Sequence, residues 1–306
     1  MRNAFAEQIT CLAREDERVV LLSGDIGNRL FNDFKKHCPS RFFNCGIAEG
    51  NMTGMAAGMA LCGLRPFTYT ITPFNTSRCF EQIRVDVCHH NLPVVIAGVG
   101  AGLSYASLGA THHSCEDIAI MRSLPNMTVI CPGDAVEVRE ALKASLNHDG
   151  PVYLRLGKVK EPVIHATVPD FIIGKGIIIR EGTTACLLNT GNTLPLAEQT
   201  AINLKKRGIS TRVVSMHTVK PLDLDLLRDA FSRFQLVATV EEHSLIGGLG
   251  SSVAEWLADH QVRPARFIRF GTPDEFLSKC GTQEQIRTRI GLDPDSITDR
   301  ICAGLS

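Results

Sequence analysis

The sequence predicts an α/β protein of two doubly wound domains, and three observations carry that reading. The chain has 306 residues, enough for roughly two domains of ordinary size. β-rich runs bounded by Gly or Pro alternate with helical patterns, the order that builds β-α-β units. The β-rich runs are continuously apolar, which fits strands covered on both faces in a parallel sheet.

The first set of strands is ERVVLLSGD (17–25), RPFTYTI (65–71), LPVVIAGVG (92–100), MTVICPG (127–133) and PVYLRLG (151–157). Helical patterns fall between them at Gly50 to Leu61, Ser77 to His90 and Asp134 to Asn147. Gly133-Asp134, followed by Glu137, is a helix start signal: the Asp side chain can accept from the free N–H groups of a first turn. Pattern density then falls over Glu161 to Gly176, which holds Pro162 and Pro169. The chain thus divides into 1–163, a linker at 164–176, and 177–306. The second set begins with TACLLNTG (184–191), helix Pro195 to Arg207 and STRVVSMH (210–217). Helix Asp223 to Phe231 and strand LVATVEEH (236–243) follow, and Gly247-Gly248-Leu249-Gly250 leads into helix Ser251 to Asp259.

Composition excludes several function classes. Lys and Arg total 32 and Asp and Glu total 32, with no basic patch, so no nucleic-acid partner is expected. No apolar run approaches the ~20 residues of a membrane span, and the N-terminus is broken by charges, unlike a signal peptide. The eleven cysteines are scattered through apolar runs (Cys11, Cys62, Cys186), as small buried hydrophobes would be. With no C-x-x-C and no export signal, the expected compartment is the reducing cytoplasm. No metal site is expected within this chain. His112-His113-Ser114-Cys115 is the nearest cluster, and adjacent ligands of that kind rarely close a tetrahedron.

One carboxylate needs a reason. In FFNCGIAEGNMTGMAAGMA (42–60), Glu49 stands at the mouth of an apolar helical run. An acid in a first helical turn is favoured by the free N–H groups and the dipole. Alternatively, apolar surroundings favour its protonated form and suit it to share a proton with a bound ring nitrogen.

This stretch resembles a segment of the transketolase and deoxyxylulose-phosphate synthase superfamily. The similarity continues through TPFNTSRCFEQIRVDVCHHNLPVVIAG, GATHHSCEDIAIMRSLPNMTVICPGDAVEVREAL and GPVYLRLGK. The resemblance implies a pyrimidine-binding domain of a thiamine diphosphate enzyme, followed by a transketolase C-terminal domain. It implies that Glu49 hydrogen-bonds the aminopyrimidine, with the carbanion chemistry supplied by the cofactor. It implies that Phe74 stacks on that ring and that Asn44, Ile47 and Met52 line the same pocket. His112 matches a histidine that contacts the donor substrate and is carried over with Glu49 as catalytic, while His113 replaces the usual Gln. Lys158 stands where the family often has an Arg for the substrate phosphate, and Lys holds an anion without the bidentate fork. Arg155 is either a substrate contact beside it or a structural ion-pair partner.

The pattern also departs from the family. Gly100 occupies the place of a histidine, and Leu108 the place of an acid that reads a sugar hydroxyl, which points to a non-standard donor. The Mg²⁺-binding GDG…N motif is missing: Ser23-Gly24-Asp25-Ile26-Gly27-Asn28 lacks its second Gly and its spacing. Half of the cofactor site is therefore expected on a separate GDG…N subunit carrying the Mg²⁺ ligands, in an α₂β₂ heterotetramer. Gly54 and Gly58, with Met52, Met55 and Met59, offer a face for close helix packing, within the chain or between chains. The expected activity is transfer of a two-carbon ketol unit between small sugar or sugar-phosphate molecules. A pyruvate- or 2-oxoacid-using thiamine enzyme subunit and a non-catalytic regulatory subunit are the alternatives. The turn at Glu241–Gly250 resembles another family segment and is either an anion cradle or a packing turn.

Overall fold

The computed structural model describes residues 1–306 apart from 28, 159–160, 261–264 and 278–280. The apolar runs build strands β1 (Val19–Ser23), β2 (Phe42–Asn44), β3 (Arg65–Ile71), β4 (Val95–Val99), β5 (Thr128–Ile130) and β6 (Val152–Leu156). After the connecting segment come β7 (Ile177–Arg180), β8 (Ala185–Asn189), β9 (Thr211–Ser215), β10 (Thr218–Lys220), β11 (Leu236–Ser244) and β12 (Arg266–Thr272). The strands form a seven-stranded sheet, β10-β5-β6-β4-β3-β1-β2, and a five-stranded sheet, β12-β11-β8-β9-β7. Pairing is parallel except at two edges, where β10 runs antiparallel to β5 and β7 antiparallel to β9.

The first sheet is covered on both faces, as continuous apolar strands require. Val19 and Leu21 face a core with Phe5, Ile9 and Leu142. Val20 and Leu22 face the opposite core, with Met52, Ala56 and Ile83. Helix Arg2–Glu15 supplies Phe5 and Ile9 to the first of these cores. Sequence pattern tests that stretch only as a possible leader and leaves its helix unassigned. Other elements that pattern does not anticipate include the strands β2, β7, β10 and β12 and the helices Asn32–His37, Asp117–Arg122, Gln283–Arg289 and Pro294–Leu305.

Helix Ala135–Leu146 starts where its cap signal lies, with the Asp134 side chain accepting from the backbone N–H of Val136 and Glu137. The helical pattern of Ser77 to His90 is not one α-helix. It resolves into a 3₁₀ turn at Ser77–Cys79, one α turn at Phe80–Gln82 and a π-helix at Ile83–His89. An apolar pattern does not separate these helix types, and π turns of this kind often sit beside functional sites. Cys186 is buried as expected, but Cys11 and Cys62 are exposed. No described helix is long and apolar enough to cross a membrane.

The two sheets are not separate bodies. β10 follows β9 of the second sheet yet pairs with β5 of the first. The fully buried Glu242, at the carboxyl end of β11, accepts from Leu103 N at 2.7 Å, Asn192 Nδ2 at 3.0 Å and Gln283 Nε2 at 2.8 Å, and pairs with Arg287. It ties the second domain to the loop after β4.

Candidate active site

The order β6-β4-β3-β1-β2 sets the loops leaving those strands side by side at the carboxyl edge of the sheet, where ligands bind in open α/β folds. β2 leads through Gly46, at φ 69, to Glu49. β3 runs into the turn Thr72–Asn75, which carries Phe74. β4 opens into the loop bearing Tyr105 and His112, and β6 into Lys158.

These side chains form one continuous row. Glu49 begins the helix Glu49–Leu61 and is 4% exposed. Its Oε2 pairs with Arg78 Nη1 at 2.9 Å, and the Arg78 side chain is 47% exposed. The same guanidinium lies 4.3 Å over the Phe74 ring. Phe74 meets the His112 imidazole edge-on at 5.4 Å, and His112 meets the Tyr105 ring at 6.1 Å. The Lys158 ammonium lies 4.4 Å over Tyr105 and closes the row. Thr111 Oγ1 lies 2.9 Å from His112 Nδ1, which fixes the imidazole orientation. The row joins a buried carboxylate, flat aromatic faces and a terminal cation, a set able to hold a planar nitrogen ring at one end and an anion at the other.

Other expected site residues are placed elsewhere. Arg155 is 1% exposed, so a substrate contact from it is corrected to a structural role. Its Nε bonds Asp117 Oδ2 at 2.7 Å, and its Nη2 bonds Asp117 Oδ1 at 3.1 Å and the carbonyl of Glu242 at 3.0 Å. Burial would raise the Asp117 carboxyl, and Arg155 outweighs it, leaving the group below its ordinary value. His113 is likewise corrected: it is buried, with Nε2 3.2 Å from the carbonyl of Ala106. Met52 is fully buried in the core under the helix and lines no open pocket. Ile47 is 82% exposed. Asn44 shapes the approach to Glu49, donating to Asp25 Oδ1 at 3.0 Å and accepting from Gly46 N at 2.9 Å. Asn28 of the Ser23–Asn28 stretch lies outside the described residues. The described residues contain no group of three or more His, Cys, Asp or Glu suited to a metal ion.

Two members of the row, Arg78 and Tyr105, are not anticipated from the sequence. A signal for Arg78 exists in its four-residue spacing from Phe74. Gly100 has φ +82, and a Cβ there would come within 2.0 Å of the Tyr105 ring, so Tyr105 fills the space a side chain at 100 would need. Leu108 is exposed. In the Gly-rich turn, Glu241 accepts from Leu249 N at 2.7 Å and Gly250 N at 2.8 Å. Those helix N-terminal donors are already satisfied, which favours the packing reading of that turn.

Family models match both halves of the chain: the transketolase pyrimidine-binding domain over residues 1–162 and the transketolase C-terminal domain over 174–297. The chain belongs to the transketolase family. It is 36% identical over 298 residues to one of the subunits of the apulose-4-phosphate transketolase of Phocaeicola vulgatus, covering 97% of this chain and 94% of that one. It is 35% identical over 298 residues to a 6-deoxy-6-sulfo-D-fructose transketolase subunit of a Clostridium species, covering 97% and 92%. A solved split-gene transketolase, described as an inactive β4 tetramer, superposes with a TM-score of 0.92 at 36% identity, covering 99% of this chain and 97% of that one. Two of these relatives are named as single subunits of a transketolase, and the third is described as the product of a split gene.

Proposed function

We propose that this chain is the pyrimidine-side subunit of a thiamine diphosphate-dependent split transketolase, transferring a two-carbon ketol unit from a ketose to an aldehyde acceptor. The observation that carries the reading is the buried Glu49 carboxylate at the head of the aromatic and cationic row. The fit to a pyrimidine rests on Arg78. A flat N–H donor already lies over Phe74 while hydrogen-bonding Glu49, the chemistry an aminopyrimidine would bring to the same place. Thiamine diphosphate, when bound, supplies the carbanion and electron sink that ketol transfer needs. Glu49 holds a ring nitrogen and its proton, and the half-exposed Arg78 can yield to the incoming ring. Phe74 gives the stacking face, worth about 1 kcal/mol beyond burial. His112 donates to or accepts from a substrate oxygen, and Lys158 neutralises an anionic substrate end.

The diphosphate and Mg²⁺ ligands are proposed to lie on a separate subunit, in an α₂β₂ assembly. Support comes from relatives named as single subunits of a transketolase and from a neighbouring β4 assembly described as inactive. The relatives' names also support a donor outside the common sugar phosphates.

The test is reconstitution with the partner subunit, Mg²⁺ and thiamine diphosphate. Glu49→Gln is expected to lower turnover by about two to four powers of ten while assembly, followed by size-exclusion chromatography, is retained. Near-normal turnover in that variant would remove Glu49 from the mechanism.

A further inference from the structure

We propose that Tyr105 is a specificity-determining residue, its phenol reading an oxygen on the sugar chain of a ketose phosphate. The proposal rests on the ketol-transfer reading and deepens it. Tyr105 sits between the two groups assigned to substrate, with His112 on one side at 6.1 Å and the Lys158 ammonium over its face at 4.4 Å. Between a group at the reacting end and a cation at the anionic end lies the middle of a substrate, and Tyr105 is what the chain presents there.

The ring is held in place. Its edge rests against Gly100, where any side chain would collide with it. The loop is closed by backbone bonds between Gly102 and Ser114, 2.9 Å in each direction. Leu103 N donates to the buried Glu242 at 2.7 Å, and Ser104 Oγ donates to the carbonyl of Ala101 at 2.8 Å. Such clamping sets the hydroxyl before the substrate arrives, so little ordering is left to be done on binding. The hydroxyl itself has no hydrogen-bond partner among the described residues. Burial raises the phenol pKa, outweighing the lowering by the positive charge of Arg2, so the group remains a neutral donor at physiological pH. A half-buried hydroxyl on a clamped ring, with no hydrogen bond to the described residues, is suited to a ligand oxygen. Sites built to hydrogen-bond a substrate discriminate strongly when that bond is lost.

The experiment uses the complex of this chain with its partner subunit, loaded with Mg²⁺ and thiamine diphosphate, and compares Tyr105→Phe with wild type. The ring, its cation contact and its packing on Gly100 remain, and only the hydroxyl is removed. Two donors separate the roles: apulose 4-phosphate, a branched ketose phosphate with a sugar chain and a phosphate, and 3-hydroxypyruvate, which carries the two-carbon unit without them. The expected result is a loss of at least about tenfold in kcat/KM for apulose 4-phosphate, mostly in KM, with 3-hydroxypyruvate within about twofold. Apulose 4-phosphate binding by calorimetry should weaken in parallel, a readout independent of turnover. An equal loss with both donors, or no loss with either, overturns the assignment. A wild-type complex that uses 3-hydroxypyruvate but neither binds nor uses apulose 4-phosphate overturns the proposal for a ketose phosphate of this kind and leaves ketol transfer standing. A complex that uses neither donor removes the ketol-transfer reading and this proposal with it.

Discussion

Arg155 and Arg78 show how position, rather than residue type, decides the role of a guanidinium. Both pair with an acid. Arg155 points into the protein from β6, and its partner Asp117 also accepts from the Tyr153 hydroxyl. Arg78 lies at the rim, where solvent screens it and its pairing is exchangeable. Removing one partner of a buried ion pair leaves the other charge uncompensated, at a cost of about 3–5 kcal/mol. Arg155→Met is therefore expected to lower stability by about that much, read from urea unfolding through the fluorescence of the single tryptophan, Trp256. A change below about 1 kcal/mol would mean that this pair does not hold the domain junction. At this scale the sequence is informative about type and weak about direction. Glu49, Phe74, His112 and Lys158 are legible from their motifs. Arg155 and His113 lie beside those residues in sequence, but a strand or loop turns successive side chains to opposite sides, and both are buried.

Among the elements, the segment joining the domains is more than a tether. His165 lies in it, with Nδ1 3.1 Å from Asp134 Oδ2 and Nε2 3.4 Å from Glu137 Oε1. The backbone N–H groups of Ile164 and His165 also donate to Asp134 Oδ2, at 2.8 and 3.0 Å. The cap of helix Ala135–Leu146 thus doubles as a clasp for the linker. Burial raises the Glu137 carboxyl to about 7. The His165 imidazole, which burial alone would lower, is raised by Asp134 and Glu137. Both folded pKa values lie above their unfolded ones, so both groups contribute stability that is complete at acid pH and lost as pH rises through the folded values. For Glu137 that window runs from its ordinary 4.5 to about 7. The melting temperature of wild type relative to Glu137→Gln is expected to fall between about pH 5 and pH 8, measured by circular dichroism in buffers of equal ionic strength. A pH-independent difference would remove Glu137 from the clasp. In the sequence this segment is marked by a break in pattern, with Pro162 and Pro169. Its docking is not, because a His meeting an acid some thirty positions back leaves no periodic trace.

For the molecule as a unit, the two-domain α/β architecture is legible because continuous apolar strands admit few arrangements: they must be covered on both faces. The exception is β10, a three-residue strand too short to read, which leaves its own domain to pair with β5. A strand shared in this way makes the first sheet incomplete without the second domain. A chain ending at Gly176 would lack β10, Glu242 and the packing of Cys186, Leu188 and Val214 against the first domain's core. That fragment is expected to melt well below the full chain, or to precipitate, in a thermal scan. A fragment melting at the full-length temperature would show that the first domain stands alone.

The borrowed strand also bears on how such an enzyme could breathe. A hinge needs a seam across which few bonds run, and here the seam carries a β-ladder, the buried Arg155 and the linker clasp. The halves of this polypeptide are bolted together, so the seam between its two domains is not where a guest is admitted and enclosed.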